Sequence, residues 1–123
     1  MISNGIDLIE IERIEKAIAS ESFLKRVYGS DELEELKNKK AQSYAAAFCA
    51  KEAFAKALGT GIRGFSLNEV QVLHKENGMP YFSLSGEAKR LAGEKGLEFS
   101  LSITHTDKYA AAVVTAFGGN END

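Results

Sequence analysis

One stretch of this sequence sets ionisable side chains among apolar ones. Residues 41–58 are rich in alanine, and their only charged residues are Lys51, Glu52 and Lys56. Glu52 and Lys56 are four apart, so on a helix they share a face, with Phe48 one turn earlier. That spacing alone describes an exposed ion pair that aids solubility. The setting argues for more. Ala53, Phe54, Ala55 and Ala57 surround the pair, and an internal carboxylate needs a cation, a metal or a shifted pKa. Asp7 is the second candidate, because it interrupts the apolar run Ile6-Asp7-Leu8-Ile9. An edge or capping aspartate would fit the same position. Two carboxylates from separated elements, with little histidine or thiol at hand, favour a hard oxygen-seeking ion such as Mg²⁺. Few protein ligands would leave room for water and substrate phosphate, the usual arrangement in phosphoryl chemistry.

Other candidates carry less by themselves. His105, in Ser102-Ile-Thr-His-Thr, falls at the tip of a hairpin, where a histidine is ordinarily a polar surface residue. His74 lies beside a second hairpin and reads the same way. Cys49 is most simply a small buried apolar residue, and nothing pairs it with a histidine as a nucleophilic dyad. Gly59-Thr-Gly-Ile-Arg-Gly64 matches G-x-G-x-x-G in letters, but a dinucleotide fingerprint follows a strand and opens a helix. Here the glycines follow a helix, whose carbonyl end repels an anion. They stop the helix, and could also turn backbone amides toward a phosphate.

The elements that must position these residues follow from periodicity. Residues 2–8 predict a strand that runs directly into a helix marked by Ile11, Ile14 and Ile18. Phe23, Leu24, Val27 and Tyr28 predict a second helical face, stopped by Gly29. Ser30 resembles an N-cap, with Asp31 and Glu32 at the positive end of a third helix fading near residues 38–40. The longest helix spans residues 41–58, with Gly59 at its C-terminal end. Residues 69–74 and 80–84 predict a hairpin about Asn77-Gly78, and Ser85 a cap for a short helix that Gly96 ends. Leu97, Phe99, Leu101 and Ile103 alternate with polar residues, a half-buried strand. Residues 109–117 supply its partner, with 105–108 as the connection. Helices early and strands late predict an α+β fold, helices packed on a small antiparallel sheet.

The chain has 123 residues, 44% hydrophobic and 27% charged, which suits a single globular domain with a real core. We place that domain at residues 1–117, followed by a frayed tail at 118–123. A net charge of −3 argues against a nucleic-acid binder. One cysteine and two histidines exclude an internal disulfide and a cysteine-rich zinc centre. The first residues lack a basic segment and carry Asp7 where a signal peptide is apolar, and no apolar run is long enough to span a bilayer. A cytoplasmic protein without membrane partners is expected.

Three ordered motifs carry a resemblance. Asn4-Gly-Ile-Asp-Leu-Ile-Glu-Ile-Glu-Arg-Ile14, Phe48-Cys-Ala-Lys-Glu-Ala-Phe-Ala-Lys-Ala-Leu-Gly-Thr-Gly61 and Ser100-Leu-Ser-Ile-Thr-His-Thr106 closely resemble the small bacterial class of 4′-phosphopantetheinyl transferases, the holo-acyl-carrier-protein synthases. The similarity runs from about Ile2 to Phe117 and includes Asn77-Gly-Met-Pro80. It implies a phosphopantetheinyl-transferase fold, usually a homotrimer with active sites between subunits. It also implies coenzyme A as donor, Mg²⁺ as cofactor and apo acyl carrier protein as acceptor, in fatty acid biosynthesis.

Within that resemblance Asp7 and Glu52 match the metal positions, Lys56 a phosphate-contacting lysine, and His105 the histidine near the transferred phosphate. Gly59, Thr60 and Gly61 fall in the nucleotide-side loop, and Asn77 and Pro80 are further coenzyme-binding positions. Glu52, Lys56 and His105 are thus the catalytic candidates. The resemblance also has the first helix face the carrier protein. Arg13 and Lys16 on that helix, with Lys25 and Arg26 nearby, are the basic candidates, thinned by Glu10, Glu12 and Glu15. Two rival classes keep the fold without the reaction: a coenzyme A-binding regulatory module and a structural oligomerisation domain.

Overall fold

The computed structural model describes residues 1–61 and 63–119. Strand β1, Ile2–Glu10, runs without a break into helix α1, Ile11–Ala17. Ser3, Gly5, Asp7 and Ile9 point inward and alternate with Ile2, Asn4, Ile6, Leu8 and Glu10, as a strand covered on one face requires. The strand outlasts its expected end because Ile9 and Glu10 still pair with Ala110 and Tyr109. Helix α2, Glu21–Val27, is capped by the Ser20 hydroxyl, which accepts the Phe23 N–H at 3.2 Å.

Helix α3, Ser30–Leu36, corrects an expectation. Ser30 is its first residue and Gly29 its N-cap, with the Glu32 carboxylate reaching back to accept the Gly29 N–H at 3.0 Å. Helix α4, Ala41–Leu58, has the predicted bounds and stops at Gly59 with φ of +88°, a left-handed conformation that costs glycine nothing. A 3₁₀ turn, Leu67–Glu69, removes Glu69 from the strand expected there.

Strands β2, Val70–His74, and β3, Pro80–Leu84, form an antiparallel pair. Helix α5 is Gly86–Glu94. Strands β4, Leu97–His105, and β5, Tyr109–Gly118, complete an antiparallel sheet of order β1-β5-β4. His105 is therefore the last strand residue and not part of the connection. Gly118 and Gly119, expected to open the tail, are held. The Met1 ammonium donates to Gly118 O at 3.1 Å, and the Gly119 N–H donates to Gly96 O at 2.9 Å. Residues 120–123 lie outside the described residues.

Helix α4 packs on β1 and β5 through small buried residues, among them Ala50, Ala53 and Ala57 on the helix and Ala110, Ala112 and Ala116 on β5. The approach is tightest at Gly5, where an added Cβ would sit 1.9 Å from Ala53 O and 2.7 Å from Ala57 N. Phe54 extends from α4 into a ring cluster, with centroids 5.7 Å from Phe65, 5.2 Å from Phe82 and 4.6 Å from Phe99. Each such ring contributes about 1.5–3 kcal/mol when fully buried, so the α4 register is strongly determined. On the outward face of the three-stranded sheet β1 and β5 leave large apolar side chains uncovered, Ile6 67% and Leu8 66% exposed beside Ile2, Val113 and Phe117. Strand β4 turns Glu98, Ser100, Ser102 and Thr104 to the same side. No helix among the described residues is long and apolar enough to cross a membrane.

Candidate active site

Strand parity turns Asp7 toward α4, and helical spacing turns Glu52 and Lys56 toward β1. The three meet beside Cys49. The Lys56 ammonium donates to Ile6 O at 2.8 Å and pairs with Asp7 Oδ1 at 3.3 Å. No Glu52–Lys56 ion pair occurs among the described residues; the lysine turns to the strand instead. Partial burial, and then the negative charge of Asp7, push the Glu52 carboxyl above its ordinary range, while Lys56 opposes the shift. Burial and the adjacent Asp7 carboxylate also push the Cys49 thiol up to about 12. The thiol donates to Ala110 O at 3.3 Å and stays protonated at neutral pH, so it is no nucleophile.

Two carboxylates that repel one another, with a single lysine between them and the solvent, form a cation-seeking site. Among the described residues no three histidine, cysteine or carboxylate side chains converge as a metal cage. A metal here would take Asp7 and Glu52 from the chain and its other ligands from water and substrate. Hard carboxylate oxygens in that number suit Mg²⁺.

One turn beyond Lys56, Gly59 and Gly61 have φ of +88° and +64°, and a Cβ at either would meet nothing within 4 Å. Thr60 lies between them, its hydroxyl donating to Gly61 O at 3.0 Å. This loop presents open backbone to solvent just past Lys56 at the end of α4. Ile62 lies outside the described residues.

His105 stands elsewhere. With Pro80, Gly78, His74 and Glu35 it lines a groove of about 470 Å³ between α3, the first half of α4, the β2–β3 hairpin and the end of β4. Asn77 adjoins it in a hollow against Leu101, Ser102 and Ile103. His74 Nδ1 lies 3.1 Å from Glu35 Oε1, whereas His105 is exposed, with Nδ1 3.4 Å from Thr106 O. Asp7 is level with Ala112 and Ile103 across the sheet, and His105 with Ala110 and Ile9. The two residues sit on strands separated by β5, which is roughly 10 Å. The fold thus brings Asp7, Glu52, Lys56 and Gly59–Gly61 together on one side of α4. It gathers Asn77, Pro80 and His105 on the other, and one chain does not unite the two sets.

The basic residues of α1 and α2 are all exposed. Lys16 pairs with Glu12 at 3.2 Å and Lys25 with Glu21 at 3.5 Å, and Arg26 Nε donates to Ser22 O at 3.4 Å. Arg13 has no ion pair among the described residues. Sequence reasoning missed one group altogether. Lys51 and Glu32 are fully buried and paired at 2.7 Å. Burial pushes the carboxyl up and the ammonium down, and each partner opposes the other's shift. A lysine flanked by Cys49, Ala50 and Ala53 was the available signal that something internal must meet it.

Known proteins bear on this geometry. The family model of the 4′-phosphopantetheinyl transferase superfamily matches residues 3–114. A protein of Thermoanaerobacter sp. (strain X514) named holo-[acyl-carrier-protein] synthase is 43% identical over 123 residues, spanning 97% of this chain and 89% of that protein. The crystal structure of holo-[acyl-carrier-protein] synthase from Neisseria meningitidis superposes with a TM-score of 0.89 at 33% identity, covering 96% of this chain and 100% of the other. That of the Helicobacter pylori synthase, in complex with coenzyme A, gives a TM-score of 0.82 at 33% identity, covering 95% and 100%. Motif order, fold and extent of match agree, and the chain belongs to the 4′-phosphopantetheinyl transferase superfamily.

Proposed function

We propose that this chain transfers the 4′-phosphopantetheine group of coenzyme A to a serine of apo acyl carrier protein, in the cytoplasm and in the service of fatty acid biosynthesis. The observation that carries the reading is the meeting of Asp7 and Glu52, from separate elements, beside Lys56 and the open glycine turn. Relatives named holo-[acyl-carrier-protein] synthase, one of them solved with coenzyme A, support the donor and the acceptor.

In the reaction the serine oxygen attacks the phosphorus that bears pantetheine. The bond from that phosphorus to the bridging oxygen breaks, and adenosine 3′,5′-bisphosphate leaves with the electron pair. Phosphoryl transfer asks a protein for position and charge more than for covalent help. Lys56, already at the lip of the site, swings from Asp7 to the diphosphate and balances charge that builds on the leaving side. Asp7 and Glu52 would hold Mg²⁺, which when bound neutralises diphosphate charge. Glu52, with its raised carboxyl, and His105 are the chain's own groups within reach of a base's role toward the serine proton. The Gly59–Gly61 backbone lies against the nucleotide side.

His105, Asn77 and Pro80 enter the same site from a neighbouring subunit. Their separation from Glu52 within one chain supports this, and so does the uncovered apolar sheet face, which suits packing against copies of itself in a homotrimer. The carrier docks on α1 and α2, with Arg13 the cation left free of intrahelical pairing.

One incubation tests the reading. Protein, coenzyme A, Mg²⁺ and an apo carrier are combined, and the carrier's mass is measured. Gain of one phosphopantetheine is expected. Thermal stabilisation by coenzyme A without carrier modification would leave a binding module in its place.

A further inference from the structure

We infer that the buried Lys51–Glu32 pair is a positioning device for Glu52: it fixes the roll of α4 about its axis and so sets Glu52 against Asp7. The inference rests on the proposed role of Glu52 and goes beyond it, since neither Lys51 nor Glu32 touches the open site.

The pair is fully connected. The Lys51 ammonium donates to Glu32 Oε1 at 2.7 Å, Val70 O at 2.6 Å and Leu67 O at 3.1 Å, which uses its three donors. Glu32 Oε1 also accepts the Gly29 N–H at 3.0 Å, Oε2 accepts the Val72 N–H at 3.0 Å, and the Glu32 N–H donates to Gln71 Oε1 at 3.0 Å. Lys51 thereby ties α4 to three neighbours at once: α3, the 3₁₀ turn and β2. Among the described residues no buried side-chain polar atom lacks a partner.

Such a pair is a poor source of net stability, because desolvating both charges offsets most of their attraction and apolar replacements often fold as well or better. What it does supply is geometry. Successive helical residues are about 100° apart, so Lys51 grips one side of α4 while Glu52 faces Asp7 on another. The close backbone approach of Gly5 to Ala53 and Ala57 holds the β1 side. Between that contact and the Lys51 clamp the helix has little freedom to turn. The arm is long enough to matter. A side-chain tip about 6 Å from the helix axis moves roughly 1 Å for a 10° roll, and misplacement of that size costs a reaction about a hundredfold.

The test separates folding from placement. Lys51→Met and Glu32→Gln each leave a buried group unmatched and are expected to melt early. Lys51→Met combined with Glu32→Leu removes both charges and is expected to recover the wild-type melting temperature within a few degrees. In that folded double variant kcat should still fall by about tenfold or more, with the KM for coenzyme A changed less than about threefold. Binding of Mn²⁺ to the coenzyme A complex, followed by electron paramagnetic resonance, should weaken in parallel. A folded double variant with wild-type kcat and wild-type Mn²⁺ binding overturns the inference. Should the double variant not fold, Glu32→Asp carries the test: it keeps the charge pair but draws Lys51 inward by one methylene. The same kcat loss is expected of it, and full-rate turnover would be fatal to the idea. Wild-type protein assayed alongside, with Glu52→Gln, distinguishes the two claims. Failure of the wild type to transfer, or full activity in Glu52→Gln, refutes the reading of the site and not the clamp alone.

Discussion

A glutamate one helical turn before a lysine is commonplace on protein surfaces, where the pair forms a weak ion pair. Glu52 and Lys56 differ because Lys56 turns to Ile6 O and Asp7, and Glu52 is left half-buried, with Asp7 raising its carboxyl more than Lys56 lowers it. That arrangement was legible in part. An alanine-rich helix has no reason to carry a carboxylate inward unless something outside the chain meets it. Lys51 was not legible to the same degree, because its partner lies 19 residues earlier, in the first turn of α3, where a glutamate already suits the helix dipole. Glu52→Gln keeps the shape and removes the charge. It should reduce transfer by at least about a hundredfold while circular dichroism and melting stay close to wild type, and near-normal turnover at ordinary Mg²⁺ would remove Glu52 from the site. Lys56→Ala should lower kcat by about tenfold or more with smaller change in carrier KM. A loss confined to carrier affinity would place Lys56 on the docking surface instead.

Elements with one strong period were read with little error. Helix α4 was bounded correctly by composition and Gly59, and β4 was located by its alternation, short only of His105. Short elements were read less well, since their ends depend on tertiary partners: Glu32, not Ser30, satisfies the start of α3, and the 3₁₀ turn takes Glu69. Gly5 gave no sign of its importance, because close approach of a strand to a helix leaves no periodic trace. Gly5→Ala would drive Cβ into the backbone at Ala53 and Ala57, which cannot rotate away as a side chain can. The variant should lose about 1–3 kcal/mol in chemical denaturation and also transfer more slowly, because Asp7 rides on the same strand. An unaltered denaturation midpoint would show that β1 and α4 part without cost. On α1, the pairing of Lys16 with Glu12 leaves Arg13 as the exposed cation without an ion pair among the described residues. Arg13→Glu should raise the carrier KM more than the coenzyme A KM, and added salt should weaken the wild type in the same direction. A carrier KM unmoved at low salt removes Arg13 from the interface.

At the scale of the molecule, the resemblance implies sites between subunits, but periodicity and spacing do not show which candidate residues one chain keeps apart. Chain order says nothing about which side of α4 a strand end reaches; that follows from the β1-β5-β4 order, which puts Asp7 and His105 on the two outer strands. A long ligand with phosphates and an adenosine needs contacts at several separate points, and the uncovered face bearing Ile6 and Leu8 offers the means of bringing a second half alongside. In the proposed closed ring each interface would hold Asp7, Glu52 and Lys56 from one subunit and His105 from the next. Mixing experiments read this directly. Asp7→Asn and His105→Ala are prepared as separate, poorly active proteins, then unfolded and refolded together in equal amounts. With random assembly about one interface in four joins an intact Asp7 to an intact His105, so activity should return to about that fraction of wild type. Subunit exchange is verified independently with a mass-labelled copy. If exchange is complete and the mixture is no more active than its two components, each subunit carries its whole site and the composite arrangement is wrong.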